Sequence, residues 1–246
     1  MRTSLTGRAA LGVAVLVAGG LLVGARGGAT TAAGCSLRRG ATAATTGAAA
    51  ASGSWPYSNA DLANTRDAPG STISSTNVSK LRQAWTFKLT GMAAKGEGPY
   101  GSLTANPIVQ NGVVYLQDLD SDVFALALAT GKLEWEYRCD QPEKSGPGPN
   151  GVAVAGGRVY GLTPTAAFAL HAATGRKILV RSGLLSQGQG TFGIQPQVAG
   201  GRVYLASQYG SAPGGGVLLA LRASSGAELW RFNTVAGPEP GVHALG

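Results

Sequence analysis

Charge, aromatic rings, cysteine and histidine are all in short supply in this chain, and each shortage removes a class of explanation. Charged residues are 13% of the 246 positions, which describes a lightly charged protein. The net charge is still +8. Five of those charges (Arg2, Arg8, Arg26, Arg38 and Arg39) lie within residues 1–50, where there is no acid, so the rest of the chain carries only +3. The other Lys and Arg residues are scattered and form no run. A nucleic-acid footprint needs clustered phosphate contacts, so a nucleic-acid partner is excluded. The two cysteines, Cys35 and Cys139, cannot build a structural zinc site, and there is no CxxCH for a covalent haem. His171 and His243 stand without paired carboxylates and read as structural. Aromatic residues are only 7%, but a hydrophobic share of 44% is enough for a core.

Glycine is abundant, at 39 residues. An Ala/Gly-biased composition accounts for part of this, and tight turns account for the rest. Three segments repeat one another, over 105–138, 148–182 and 194–233. Their shared GVVY or GRVY places Tyr115, Tyr160 and Tyr204 at spacings of 45 and 44. Each unit then closes on a Thr/Ser-Gly pair: Thr130-Gly131, Thr174-Gly175 and Ser225-Gly226. A period of this length made of short strands predicts an all-β repeat fold of propeller blades.

Each unit reads as four strands. In the first, 105–109 is the inner strand, Asn111-Gly112 turns the chain, and 113–117, 123–128 and 133–138 follow. The outermost strand is expected to be exposed and polar on one side. Asn-Gly supplies the positive φ of a tight hairpin, and Gly156-Gly157 and Gly200-Gly201 stand at the same turn in the later units.

The N-terminus reads as an export signal over 1–34. Arg2 and Arg8 precede an apolar stretch from Ala9 to Ala25, long enough for a signal core and marginal for a membrane span. Small residues then lead to Cys35, as at a bacterial lipoprotein processing site, although Ala32 stands where leucine is usual. Cys35 is therefore the expected lipidation site, with a soluble exported form and an uncleaved single-span anchor as alternatives. Residues 35–53, low in complexity and without large apolar side chains, are expected to be a disordered tether. A Cys35–Cys139 disulfide is open in an oxidising compartment, but the flexible arm carrying Cys35 argues against it. Residues 54–104 form a non-repetitive leader. It ends on Leu81 to Phe87, which looks like the fourth strand of a blade lacking its first three.

The repeats resemble the quinoprotein (PQQ-type) eight-bladed propeller family. That family carries Ala-x-Asp-x-x-Thr-Gly-x-x-x-Trp at the end of each blade. The copies here run from Ala125 through Thr130 and Gly131 to Trp135, from Ala169 through Thr174 and Gly175 to Leu179, and from Ala220 through Ser225 and Gly226 to Trp230. The leader SWPYSNADLANTR resembles the opening of PQQ-dependent alcohol dehydrogenases, including the polyvinyl-alcohol group. The motif is structural. Glycine allows the turn, Thr or Ser bonds its backbone, and the indole is expected to pack flat on the neighbouring blade. The motif's Asp is replaced by Ala127, His171 and Arg222.

The resemblance implies PQQ and calcium as cofactors and an alcohol as substrate. It places Asn150, Gly151, Gln195, Gly210 and Ser211 at cofactor-binding positions. An arginine of the family falls near Asn150 and a calcium-ligating Glu near Ser211, and serine is a poor replacement on a hard cation. The family's base and a further calcium ligand come from later blades, so no catalytic residue is assigned. Two other motifs carry little. Asp118-x-Asp120-x-Asp122 begins like a calcium loop but has Val123 and Ala129 where Gly and Glu belong, and it reads as a solvated turn. GQGTFG (188–193) fits GxGxxG but precedes a strand, which excludes a nucleotide loop.

The expectation is thus a partial propeller of three four-stranded blades plus one stray closing strand. It would form the N-terminal part of an exported PQQ-dependent alcohol dehydrogenase-like enzyme, with impaired catalysis because too few blades are present to close a ring. The alternative is a non-catalytic scaffold lipoprotein that holds protein partners, like the outer-membrane assembly factor with the same blades. The membrane is reached only through the N-terminal signal or its lipid.

Overall fold

The computed structural model describes residues 35–40, 53–68, 70–89, 105–139, 151–208 and 215–234. All lie in one compact unit, Ala32–Gly246. The export signal over 1–34 and the tether from 41 to 52 fall outside the described residues.

Three antiparallel sheets follow one another along the chain, and no α-helix occurs among the described residues. Blade 1 contains β2 (Ile108–Gln110), β3 (Val113–Gln117), β4 (Val123–Ala127) and β5 (Leu133–Cys139). Blade 2 contains β6 (Ala153–Ala155), β7 (Arg158–Leu162), β8 (Ala167–His171) and β9 (Lys177–Arg181). Blade 3 contains β11 (Gln197–Ala199), β12 (Arg202–Gln208), β13 (Val217–Arg222) and β14 (Glu228–Asn233), with β10 (Thr191–Phe192) added along the far end of β12. Within each blade neighbouring strands are sequence neighbours, the meander of a propeller. The hairpin pairs behave alike: φ is 52° and 76° at Asn111 and Gly112, 56° and 71° at Gly156 and Gly157, and 54° and 73° at Gly200 and Gly201. Positive φ at both central residues matches the strand twist, which is why Asn and Gly occupy these turns.

Apolar side chains from facing blades interdigitate in layers. One core joins Ile108, Tyr115 and Tyr137 of blade 1 to Val152, Val159, Phe168 and Leu170 of blade 2. A second joins Tyr160, Leu162 and Ala169 to Val203, Leu205 and Leu219 of blade 3. A third covers the opposite face of blade 1, where Trp85, Phe87 and Leu89 lie on Val114, Leu116, Phe124 and Leu126. The segment 81–89 thus sits on blade 1 but forms no ladder, because no three strands of its own stand beside it among the described residues.

The seams share one device. Gly131, Gly175 and Gly226 have φ of 67°, 67° and 70°, and each N–H closes its turn onto the residue four back. Thr130, Thr174 and Ser225 hydroxyls accept from the N–H two residues on, at 3.3–3.4 Å. A Cβ on Gly131 would meet the Trp85 ring at 2.5 Å, and one on Gly175 would meet the Trp135 ring at 2.7 Å. Each indole therefore lies flat on the next blade's glycine. Trp85 Nε1 donates to the Leu128 carbonyl and Trp135 Nε1 to the Ala172 carbonyl, both at 2.8 Å. At the third seam Leu179 and Arg181 lie over Gly226. Leucine donates nothing, so at the equivalent carbonyl of Ala223 Arg158 Nη1 takes the indole's place at 3.0 Å, while Tyr160 Oη at 3.3 Å repeats the donation that Tyr115 Oη makes to Ala172 at 3.4 Å. A cavity of about 20 Å³ remains beside Leu179.

Three expectations need correcting. Trp230 is not buried: it is 41% exposed, beside Leu229 and Phe232, because no glycine turn faces it among the described residues. The tether does not begin at residue 35, since β1 (Cys35–Arg39) pairs with β5 along its full length, Cys35 opposite Cys139 to Arg39 opposite Trp135. Cys35 is bonded to Cys139 and so has no free thiol for a lipid. Backbone pairing tolerates the polar sequence CSLRR, and Leu37 adds an apolar anchor against Gly175 beside Trp135. Trp135 and Tyr137 are buried against blade 2 as the repeat implies, and Glu136, on a strand expected to be polar and exposed on one side, is buried where β1 pairs alongside it.

Trp135→Ala should cost about 3–5 kcal/mol of unfolding free energy, and Trp230→Ala no more than about 1 kcal/mol. Urea denaturation measures both, and equal losses would contradict the difference between the seams.

Candidate functional site

The inner strands β2, β6 and β11 face a shared cavity of about 260 Å³. The leader enters it. Trp55 exchanges backbone hydrogen bonds with Val109 at 2.8 and 2.9 Å, which holds Pro56, Tyr57 and Ser58 against the cavity. Gln195 joins three parts of the chain there. Its Nε2 donates to the Val152 carbonyl at 2.7 Å, and its Oε1 accepts from Ser58 Oγ at 2.6 Å. Gly151 stands behind it with φ of 124°; a Cβ there would meet Gln195 Cδ at 3.2 Å and the Asn106 carbonyl at 3.3 Å. Both torsion and space require glycine.

Gly151 and Gln195, two of the expected cofactor positions, are thus brought together from blades 2 and 3. Asn150, Gly210 and Ser211 fall outside the described residues. The contribution of Ser58 escaped the sequence reading, because 137 residues separate it from Gln195 and no periodicity links them.

The cavity wall is mixed and slightly more polar than apolar, with Ser58, Tyr57 and the amides of Gln110, Gln195 and Gln197 beside valine, alanine and proline, and with no charged side chain among the described lining residues. Such a wall suits a neutral polar group. A polycarboxylated quinone such as PQQ would find no counter-charge on it, so the described residues do not by themselves fit that cofactor. No group of three or more His, Cys, Asp or Glu is arranged to hold a metal among the described residues.

A second polar cluster lies at the β3–β4 turn, on the same end of the blades as Gly151. This turn is not solvated, as the sequence had implied: Gln117, Asp118, Ser121 and Asp122 are all buried. Asp118 Oδ1 accepts from the backbone N–H of Asp120 at 3.0 Å and of Asp122 at 2.9 Å. Gln117 Nε2 donates to the carbonyls of Ser121 and, across the seam, Leu162. Asp122 accepts from the Cys139 N–H at 2.6 Å and from Arg138 Nε at 3.4 Å. Three aspartates in five residues read as exposed, but Asp118 and Asp122 are buried and Asp120 is half-buried. Burial, and next the charge of Asp122, push the Asp118 carboxyl up to about 8. Burial pushes Asp122 up to about 7, against the opposing pull of the Cys139 N–H and Arg138.

Both carboxyls titrate near 3.8 when unfolded. A raised folded value means that their contribution to stability is whole below that pH and is lost as pH rises through about 7 and 8. Unfolding free energy measured in EDTA, so that no ion competes with the proton, should fall between about pH 4 and pH 8. Asp61 and Glu228, whose values are lowered, act only at the acid side of this window. Asp118→Asn keeps the turn's acceptor and should flatten the slope; an unchanged slope would show that Asp118 is ionised throughout.

Comparison with known proteins identifies the fold's relatives. Residues 55–180 match the family described as glucose/ethanol/alcohol dehydrogenase, beta-propeller domain. Residues 144–244 match a second family, described as outer membrane protein assembly factor BamB. The quinohemoprotein alcohol dehydrogenase ADH-IIG of Pseudomonas putida is 32% identical over 196 residues, covering 75% of this chain and 26% of that protein. The quinohemoprotein alcohol dehydrogenase of Comamonas testosteroni is 29% identical over 197 residues, with coverage of 74% and 26%. The solved structure of ADHIIG from Pseudomonas putida HK5 superposes with a TM-score of 0.65 at 30% identity, over 75% of this chain and 27% of that one. The chain spans about a quarter of the length of these curated relatives. With the family match covering half of its residues, and with blades seated on one another's glycine turns, the chain belongs to the β-propeller domain family of the glucose, ethanol and alcohol dehydrogenases.

Proposed function

We propose that this chain supplies the early blades of an exported PQQ-dependent alcohol dehydrogenase and needs further blades to act. The observation that carries the reading is the packing of Gly151 against Gln195, whose amide lines the cavity, within a chain whose relatives are named as quinoprotein and quinohemoprotein alcohol dehydrogenases. On this reading the substrate is an alcohol group, of a small molecule or of a polymer such as polyvinyl alcohol, and the quinone cofactor of the complete protein would supply the oxidising chemistry. What these residues contribute is shape. Gln195 and Ser58 hold the leader across the inner strands, and Gly151 lets the backbone approach the amide. The charged groups that would grip PQQ, and calcium beside it, would come from beyond the described residues. The exposed indole of Trp230 supports incompleteness, since an indole at this motif position elsewhere covers a glycine turn. The Cys35–Cys139 disulfide is in keeping with an oxidising, exported setting; any membrane attachment would rest on the N-terminal signal.

The match of residues 144–244 to the outer-membrane assembly factor family, together with the uncharged cavity wall, favours a second reading as a cofactor-free scaffold for protein partners.

Incubation with PQQ and calcium, followed by dye reduction with primary alcohols, separates the two. The 246-residue chain alone should reduce no dye. Fusion to the remaining blades of an alcohol-dehydrogenase relative should restore cofactor uptake and turnover. Failure of a folded fusion to take up PQQ would leave the scaffold reading.

A further inference from the structure

The aspartate-rich turn between β3 and β4 has more buried oxygens than its fold requires. Blade 2 shows what the turn itself needs: Thr163 Oγ1 accepts from the N–H groups of Ala166 and Thr165, and one oxygen suffices. In blade 1 Asp118 Oδ1 does that work. Three further atoms are then left buried without a hydrogen-bond partner: Asp118 Oδ2, Gln117 Oε1 and Ser121 Oγ. All three are oxygens, and all belong to residues with no exposed surface. The Gln117 amide is held at the turn, because its Nε2 reaches the Ser121 carbonyl at 3.0 Å. Ser121 also adopts φ of 70°, where glycine would be unstrained and where serine keeps a hydroxyl.

We propose that this turn binds a hard, oxygen-seeking cation of the calcium class, ligated by Asp118 Oδ2, Gln117 Oε1 and Ser121 Oγ, with carbonyls or water completing the shell. Local charge supports a cation over a neutral occupant. Arg138 is shared between Asp122 at 3.4 Å and Glu136 at 3.5 Å. The charges that act on Asp118 are those of Asp122 and Asp120, both negative. The Asp-x-Asp-x-Asp spacing also starts as calcium loops do, and Gln117 and Ser121 would stand in for the ligands missing after Asp122. The site lies on blade 1, and the inference stands whether or not a quinone binds. A cation there would tie blade 1 to blade 2, since the Gln117 amide also donates to the Leu162 carbonyl at 2.8 Å.

The test is thermal unfolding of the whole chain, stripped with EDTA and dialysed, then supplied with calcium, magnesium or sodium chloride. Calcium at about a hundredfold excess over its Kd should raise the unfolding midpoint by roughly 5 °C or more. Magnesium should do less, because it demands a tighter octahedral shell. A rise produced by sodium alone would identify a monovalent site of the same oxygens. Asp118→Asn, which keeps the turn's acceptor, should abolish the rise while its cation-free midpoint equals or exceeds that of the wild type. Ser121→Gly should weaken apparent calcium affinity about tenfold, the scale of one lost ligand interaction of about 1.4 kcal/mol. Identical midpoints with and without all three cations would overturn the proposal and leave a buried water in the turn. So would a full calcium response in folded Asp118→Asn.

Discussion

An aromatic ring laid on a glycine peptide is the contact on which this structure depends. A propeller blade is a small sheet that cannot bury both faces alone, so its stability is set at its seams. Here each seam closes where the turn of one blade receives a side chain from the blade before it. Glycine is required twice over: its φ is near 70°, and any Cβ would occupy the volume of the ring. The indole N–H then donates to a turn carbonyl at both tryptophan seams. The third seam tests this logic within the molecule. Leu179 preserves burial but donates nothing, and Arg158 supplies the missing donor to Ala223. The tyrosine donor is common to the second and third seams, while the indole of one is exchanged for the guanidinium of the other.

The same dependence explains the two ends of the array. Trp85, from the leader, covers the Gly131 turn, so the first blade's face is closed by the chain itself. The last strand presents Leu229, Trp230 and Phe232 to solvent. β1 protects the outer edge of blade 1, where unpaired backbone would invite association, and the Cys35–Cys139 bond fastens it. The buried aspartate turn belongs to the end of the blades away from the tight hairpins, while the cavity runs along the inner strands as far as the Gly156 hairpin.

Much of the architecture was legible in the chain. The strand Val113–Gln117 follows from alternation between Asn111-Gly112 and the aspartate turn, and it forms with those bounds. The hairpin pairs and the Thr/Ser-Gly turns follow from the φ values that only glycine and asparagine adopt readily. Of the candidate site, Gly151 and Gln195 were marked by resemblance. Ser58 was not, because a hydrogen bond across 137 residues leaves no trace in local pattern. β1 was missed for a related reason: backbone pairing is nearly indifferent to side chains, so CSLRR looked like spacer. The aspartates at 118 and 122 were read as solvated because charge in a turn usually is, and only neighbouring strands decide otherwise.

The sequence by itself determined the fold class, the blade count and the turn chemistry, because these depend on residue types repeated at fixed spacing and on torsions that few residues tolerate. Tertiary structure alone decided which tryptophans are buried, which cysteines pair, which carboxylates lose their water and which amide bridges the blades. Each of these is settled by what lies opposite in space, and no property of the residue or of its sequence neighbours contains it.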